Sequence, residues 1–177
     1  MPCQGPVHLR RASTGDAAGV ADVHVQGWQR AHEDLVPRDY LACVSAKVHE
    51  ASWRDELDVG ASDREPWVAL VDDRVVGFAS AGLSRDDDAG PETGEVYLVY
   101  VHPDCWGRGI GGNLLGHALR DLRKHGFERA TFWVVGGNEK ARAFAEANGW
   151  RLDGAERDED CGGTKVRQLR YSHALRS

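Results

Sequence analysis

The chain has little of what usually betrays a function at sight. Its four cysteines, Cys3, Cys43, Cys105 and Cys161, form no CxxC pair, so no zinc site or redox motif is indicated and all four read as free thiols. His102, His117 and His125 show no HExxH or comparable ligand spacing, and no metal is expected. Lysine and arginine are nowhere concentrated and the net charge is −6, which argues against nucleic acid as a partner. The longest apolar run is VYLVYV, Val96 to Val101, far short of the roughly 20 residues of a membrane helix. MPCQGPVHLRR lacks the apolar core of a signal peptide, so the expected location is cytoplasmic, without membrane contact.

What is present describes a folded protein. The 177 residues, 41% hydrophobic and 28% charged with six tryptophans, suit one domain over residues 1–177. A short strand near Val7 to Leu9 precedes a helix carrying Val20, Val23, His24 and Trp28 at helical spacing. Pro37 opens a second helical region that includes Val48 through Leu57, with Trp53 inward. PWVALVDDRVVGFASAGL reads as a hairpin turning at Asp72 and Asp73. SRDDDAGPETG reads as a solvated acidic loop, and GEVYLVYVHP as a central strand, apolar on both faces. A helix then runs from Asn113 on a face of Leu114, Leu115, Ala118, Leu119 and Leu122, stopped by Gly126. ERATFWVV is a strand, Asn138 caps the helix EKARAFAEAN, and VRQLRYS closes an antiparallel pair after the turn ERDEDCGGT.

WGRGIGGNLL places Gly107, Gly109, Gly111 and Gly112 directly before that helix. Glycine costs roughly 0.5 to 1 kcal/mol relative to alanine in regular structure, so the cluster needs either a tight strand-to-helix loop or a ligand that must touch the backbone. Clustered N–H groups at a helix N-terminus suit an anion, specifically a phosphate or pyrophosphate. Gly107-x-Gly109-x-x-Gly112 also matches a dinucleotide fingerprint, but HPDCW separates it from the strand and no acidic residue ends the next one. A P-loop fails because no Gly-Lys-Ser/Thr follows.

VHPDCWGRGIGGNLL, followed after a strand by NEKARAFAEANGW, resembles the acetyl-CoA core of the GNAT superfamily of N-acetyltransferases. Its pattern is a strand, Gln/Arg-x-x-Gly-x-Gly/Ala, a helix, then Asn-x-x-Ala before Gly-Phe or Gly-Trp. The likeness is clearest from Glu95 to Trp150. It implies an α+β fold of GNAT type: a single domain with a central mixed, mostly antiparallel sheet, splayed at the cofactor cleft and flanked by helices. It also implies acetyl-CoA as cosubstrate and a primary amine of a small molecule or peptide as acceptor. A homodimer is expected only as a habit of the family.

Carried over residue by residue, the resemblance sets pantetheine along Val99, Tyr100 and Val101. It sets pyrophosphate on Gly107, Arg108, Gly109, Ile110, Gly111 and Gly112, with Asn113 opening the helix; Arg108 is the nearest fixed positive charge. Trp106 stands where the family has Gln or Arg. Asn138 matches an asparagine that contacts the cofactor arm, and fits an ordinary helix cap equally well. An acceptor ammonium must lose a proton before attack, and Glu95 stands where many members carry a catalytic glutamate. Strand alternation would put Glu95 on one face with Tyr97, Val99 and Val101. The main-chain N–H of Val101 would meet the oxyanion. The family's general-acid tyrosine falls on Ala145, leaving Tyr97, Tyr100 or Tyr171 as substitutes, with Tyr97 first. Trp28, His32 and Tyr40 are the aromatic candidates for acceptor contact. The acidic ERDED and DDD stretches suggest a cationic acceptor. The alternatives are an acyl-CoA sensing module that has lost efficient chemistry and a nucleotide-phosphate enzyme on the same loop.

Overall fold

Asp72 and Asp73 take the left-handed backbone that a tight hairpin needs, with φ of 49° and 61°, and so join β2 (Trp67–Val71) to β3 (Arg74–Leu83). The computed structural model describes residues 3–58 and 66–175; Met1 and Pro2 of the stretch read for a signal core lie outside them. Strands β1 (His8–Arg11), β4 (Thr93–Val101), β5 (Arg129–Val135), β6 (Arg151–Cys161) and β7 (Thr164–Ala174) complete one sheet in the order β1-β2-β3-β4-β5-β7-β6. Every pairing is antiparallel except β4 with β5, the mixed, mostly antiparallel sheet that the resemblance implied.

Helices cover both faces. On one side lie α1 (Ala17–His32), α2 (Arg38–Cys43) and α3 (Ala46–Asp58); α1 and Trp53 of α3 bury Val68, Leu70 and Phe78. The region expected as one second helix is thus two, because Val44 takes an extended conformation between them. On the other side α4 (Ile110–Lys124) and α5 (Glu139–Ala147) pack over Val96, Phe132 and Trp150. Ile110, Leu114, Leu115, Ala118 and Leu122 of α4 are buried, each large side chain contributing about 1.5–3 kcal/mol of hydrophobic stabilisation. Buried Asp121 on the same helix is held by Trp67 Nε1 at 2.5 Å and Arg11 Nη1 at 2.7 Å.

Three expectations change. Cys3 and Cys105 are not free thiols: they form a disulfide across 102 residues that ties the N-terminal segment to the turn after β4. Cys43 and Cys161 are free. The acidic ERDED stretch is not a turn but part of β6, and Gly162 and Gly163, with φ of 65° and 85°, make the turn instead. As β6 is an edge strand, its charges keep that edge from pairing further. Finally, α4 begins at Ile110 rather than Asn113. Among the described residues no helix is long and apolar enough to cross a membrane.

Candidate active site

The central strand leaves its neighbour halfway. β4 pairs with β5 only from Thr93↔Arg129 to Val96↔Phe132, whereas its ladder with β3 continues to Val101↔Gly77. Beyond Val96 the two strands splay. The N–H of His102 is directed to Val76 O at 2.8 Å, so the alternation of an antiparallel ladder turns the N–H and C=O groups of Val99 and Val101 away from β3, into the gap. A cleft of about 760 Å³ opens there, lined by Val99, Tyr100, Val101, the glycine turn and the start of α5. That volume is within the range of small-molecule sites.

At the end of β4 the turn of Pro103–Cys105 leads to Trp106 and the glycines. Gly107 and Gly109 have φ of +77° and +72°, and a Cβ on either would meet nothing within 4 Å. Both therefore adopt a conformation that L side chains avoid while facing open space, as backbone that receives a ligand must. Gly111 and Gly112 are helical, a correction to the loop reading. Gly111 allows the first turn of α4 to lie against Phe144, whose Cε2 would stand 3.2 Å from an added Cβ. Gly107, Gly109, Ile110, Gly111 and Gly112 all line the cleft, with the N-terminal N–H groups of α4 opening toward it.

Arg108 and Asn113 do not line the cleft. Arg108 turns back to donate to Gly5 O at 2.8 Å. Asn138 does line the cleft, and its Oδ1 accepts from Ala141 N–H at 3.1 Å, so it is a helix cap at the cleft wall. Two contacts escaped sequence reasoning. Trp106 Nε1 donates to Val101 O at 2.8 Å, and Lys140 Nζ lies 5.0 Å from the Trp106 ring centroid while lining the cleft. Lys140 is a further cation beside the glycine turn and, unlike Arg108, lines the cleft. Its place just after Asn138 was the available signal.

Glu95 does not share a face with Val99 and Val101. The β3–β4 register shifts between Ser80↔Leu98 and Ala81↔Val96, which makes Tyr97 an extra, bulged residue. After the bulge, Val96, Val99 and Val101 all pack toward α4, whereas Leu98 and Tyr100 pack toward α1 and Phe78. Glu95, one residue before Val96, points to the α1 side with them. It is 6% exposed, and its Oε2 accepts the Arg85 backbone N–H at 2.9 Å. Burial raises its pKa above the ordinary 4.5, Asp86 adds to the rise, and the Arg85 N–H opposes it.

The three tyrosines differ. Tyr97 donates its hydroxyl to Leu83 O at 2.6 Å. Tyr171 donates to Glu146 Oε1 at 2.9 Å and accepts from Arg142 Nε at 3.3 Å. Tyr100 lines the cleft, and its hydroxyl makes no hydrogen bond among the described residues. A Cβ on Gly27 would stand 2.8 Å from Tyr100 Cδ1, so glycine at that point of α1 is what makes room for the ring. Burial raises the Tyr100 pKa, with the Glu159 charge adding to it, and the phenol stays protonated at neutral pH.

Trp28, His32 and Tyr40 come together, but outside the cleft lining. Trp28 stacks on His32 at 4.7 Å and meets Tyr40 edge-on at 5.9 Å. His32 Nδ1 bonds Trp28 O at 2.7 Å, and burial lowers its pKa. With Val36, Cys161 and Val166 they join the α1–α2 corner to the end of the β6–β7 hairpin. The acidic stretches are also engaged. Arg170 binds Asp86, Asp88 and Asp153 at 2.6–3.1 Å, which fastens the loop before β4 to the sheet. Glu156 pairs with Arg167, and Glu159 Oε2 accepts from Gln168 at 2.6 Å. Among the described residues no cluster of three or more His, Cys, Asp or Glu could hold a metal.

The chain matches the model of the acetyltransferase (GNAT) family over residues 19–150. It is 31% identical over 132 residues to an uncharacterised N-acetyltransferase of Bacillus subtilis, YuaI, covering 73% of this chain and 72% of that one. Among the solved structures that share the fold are two with the cofactor bound. The PaiA N-acetyltransferase of Thermoplasma acidophilum, in complex with coenzyme A, superposes with a TM-score of 0.73 at 18% identity, over 93% of this chain and 98% of that chain. Salmonella typhimurium yncA, with its cofactor acetyl-CoA, gives 0.72 at 19% identity, over 98% and 96%.

Proposed function

Because the chain belongs to the acetyltransferase (GNAT) family, we propose that it transfers an acetyl group from acetyl-CoA to a primary amine of a small molecule or peptide, by direct attack in a ternary complex. The observation that carries this reading is the splay of β4 from β5 beyond Val96, ending at a glycine turn whose backbone faces open space. Strand edge and glycine turn are the two supports an extended thioester with a pyrophosphate requires.

In this reading Gly107, Gly109, Ile110, Gly111 and Gly112 hold the pyrophosphate through main-chain N–H groups, and Lys140 adds the charge first sought in Arg108. Arg108 and Asn113 support the turn rather than the ligand. The main chain of Val99, Tyr100 and Val101 aligns the pantetheine arm, and the Val101 N–H meets the oxyanion that develops on the thioester carbonyl. Asn138 holds the start of α5 against the arm. Glu95 takes the ammonium proton through water, and its raised pKa moves it toward the range where a base works best. Tyr100 replaces Tyr97 as the proton donor to the departing thiolate, since its hydroxyl makes no hydrogen bond among the described residues and the residue lines the cleft. Trp28, His32 and Tyr40 shape the acceptor side by fixing the α1–α2 corner. Acetyl-CoA supply keeps the proposed location cytoplasmic, where the Cys3–Cys105 bond would meet reducing conditions.

Thiol release from acetyl-CoA against an amine panel tests the reading. Amine-dependent release supports it. Acetyl-CoA binding with no amine-dependent release favours the sensing module, the reading that Ala145 in place of the family's tyrosine motivates.

A further inference from the structure

Two arginines whose charges reach Glu95 come from opposite sides of the splay. Arg85, in the loop before β4, stacks its guanidinium 3.8 Å from the centroid of the Tyr97 ring. Arg157, on β6, stacks 4.2 Å from that of Trp133. Tyr97 and Trp133 are the first residues of β4 and β5 beyond their last paired residues, Val96 and Phe132, so the two stacks stand at the two lips of the gap. Both guanidinium charges act on the Glu95 carboxylate.

Stacking fixes each guanidinium plane and leaves its N–H edge presented. Among the described residues the Arg85 guanidinium makes no hydrogen bond, and Arg157 uses only Nε, on Gln168 Oε1 at 2.5 Å. Most of the carboxylates in this region are held by partners of their own. Asp86, Asp88 and Asp153 are bound to Arg170, Glu156 to Arg167, and Glu159 accepts from Gln168. Arg170 is therefore a spent structural cation, whereas Arg85 and Arg157 are exposed and oriented.

We infer that Arg85 and Arg157 form an anion-recognition pair for the acceptor, so that the preferred substrate is an amine that also carries a carboxylate or phosphate. The inference rests on the acetyltransferase reading above. The anionic group binds the two guanidinium edges while the amine reaches toward Glu95 and Tyr100. Two planar forks suit a carboxylate or a phosphate equally, and the test separates these sources.

The experiment measures kcat/KM with acetyl-CoA for matched amines: amino acids against their amides, and phosphorylated amines against their dephosphorylated counterparts. The wild type is expected to prefer the anionic member by about tenfold or more, the scale of charge-assisted hydrogen bonds. The better of the two anionic series identifies the group. Arg85→Gln and Arg157→Gln should each reduce that preference through KM, Arg→Lys should restore part of it, and the KM for acetyl-CoA should hold. The Arg85 backbone N–H that binds Glu95 survives these substitutions. Equal or better turnover of neutral or cationic partners, a preference untouched in both glutamine variants, or rejection of every pair by protein that binds acetyl-CoA would overturn the inference. Failure to bind acetyl-CoA would overturn the reading beneath it instead.

Discussion

The indole N–H of Trp106 donates to the carbonyl of Val101 at 2.8 Å, joining the end of the central strand to the head of the glycine turn. The bond lies on a residue that departs from the family pattern, and it fixes the spacing between the strand edge and the turn. Trp106→Phe keeps a ring for Lys140 and removes the donor. A net hydrogen bond of about 1 kcal/mol corresponds to roughly a fivefold loss of acetyl-CoA affinity, measured by calorimetry. Unchanged affinity would mean that the turn holds its place without this contact.

Glu95→Gln separates chemistry from stability. The folded-state pKa of Glu95 is raised, so its stabilising contribution is present at low pH, below the unfolded value, and is lost as pH rises through the folded value. The neutral isostere should therefore melt at the same or a higher temperature at pH 8. Its kcat should fall by about 100-fold, the lower range for losing a general base, with acetyl-CoA affinity unchanged. A wild-type kcat and pH profile would remove Glu95 from the mechanism.

Tyr100→Phe deletes the hydroxyl and keeps the ring that Gly27 accommodates. The expected result is a kcat lower by about tenfold or more with little change in acetyl-CoA binding, while Tyr97→Phe should leave kcat nearly intact because that hydroxyl is bound to Leu83 O. The opposite ranking would return the role to Tyr97.

His24 predicts the acid limb of stability. It packs against His49, Trp53 and Phe78, and burial, with the His49 charge, lowers its pKa from 6.5 to about 4. As pH falls below 6.5 the unfolded chain gains a proton that the folded chain refuses, so stability is lost down to about pH 4, where the folded form also protonates. At about 1.4 kcal/mol per pH unit this amounts to about 3.5 kcal/mol. His24→Phe should show a correspondingly shallower fall in unfolding free energy between pH 7 and pH 4 by denaturant titration. Parallel slopes for the two proteins would contradict the assignment.

Local pattern carried the hairpin, the amphipathic α4 and the glycine turn, because each depends on residues a few positions apart. The face of Glu95 was not legible, since the bulge at Tyr97 arises from register against β3 and shifts every later side chain on β4. The Cys3–Cys105 bond and the Arg85 and Arg157 stacks join segments far apart in the chain, and only the sheet order brings them together. Arg108 looked like the natural phosphate cation from its neighbours, but the N-terminal segment lies close enough to take it at Gly5 O. Nothing near position 108 in the sequence announces that segment.

Calorimetric titration with acetyl-CoA, with NAD and ATP as controls, tests the account most directly when wild type and Gly109→Val are compared. Gly109 has φ of +72° and a Cβ direction into open space, so valine pays for backbone strain of about 1–2 kcal/mol and also blocks approach of the pyrophosphate. The account predicts micromolar binding of acetyl-CoA alone by the wild type, weakened about tenfold or more in a folded Gly109→Val. Equal affinity in the folded variant, or binding of NAD or ATP in place of acetyl-CoA, would contradict it.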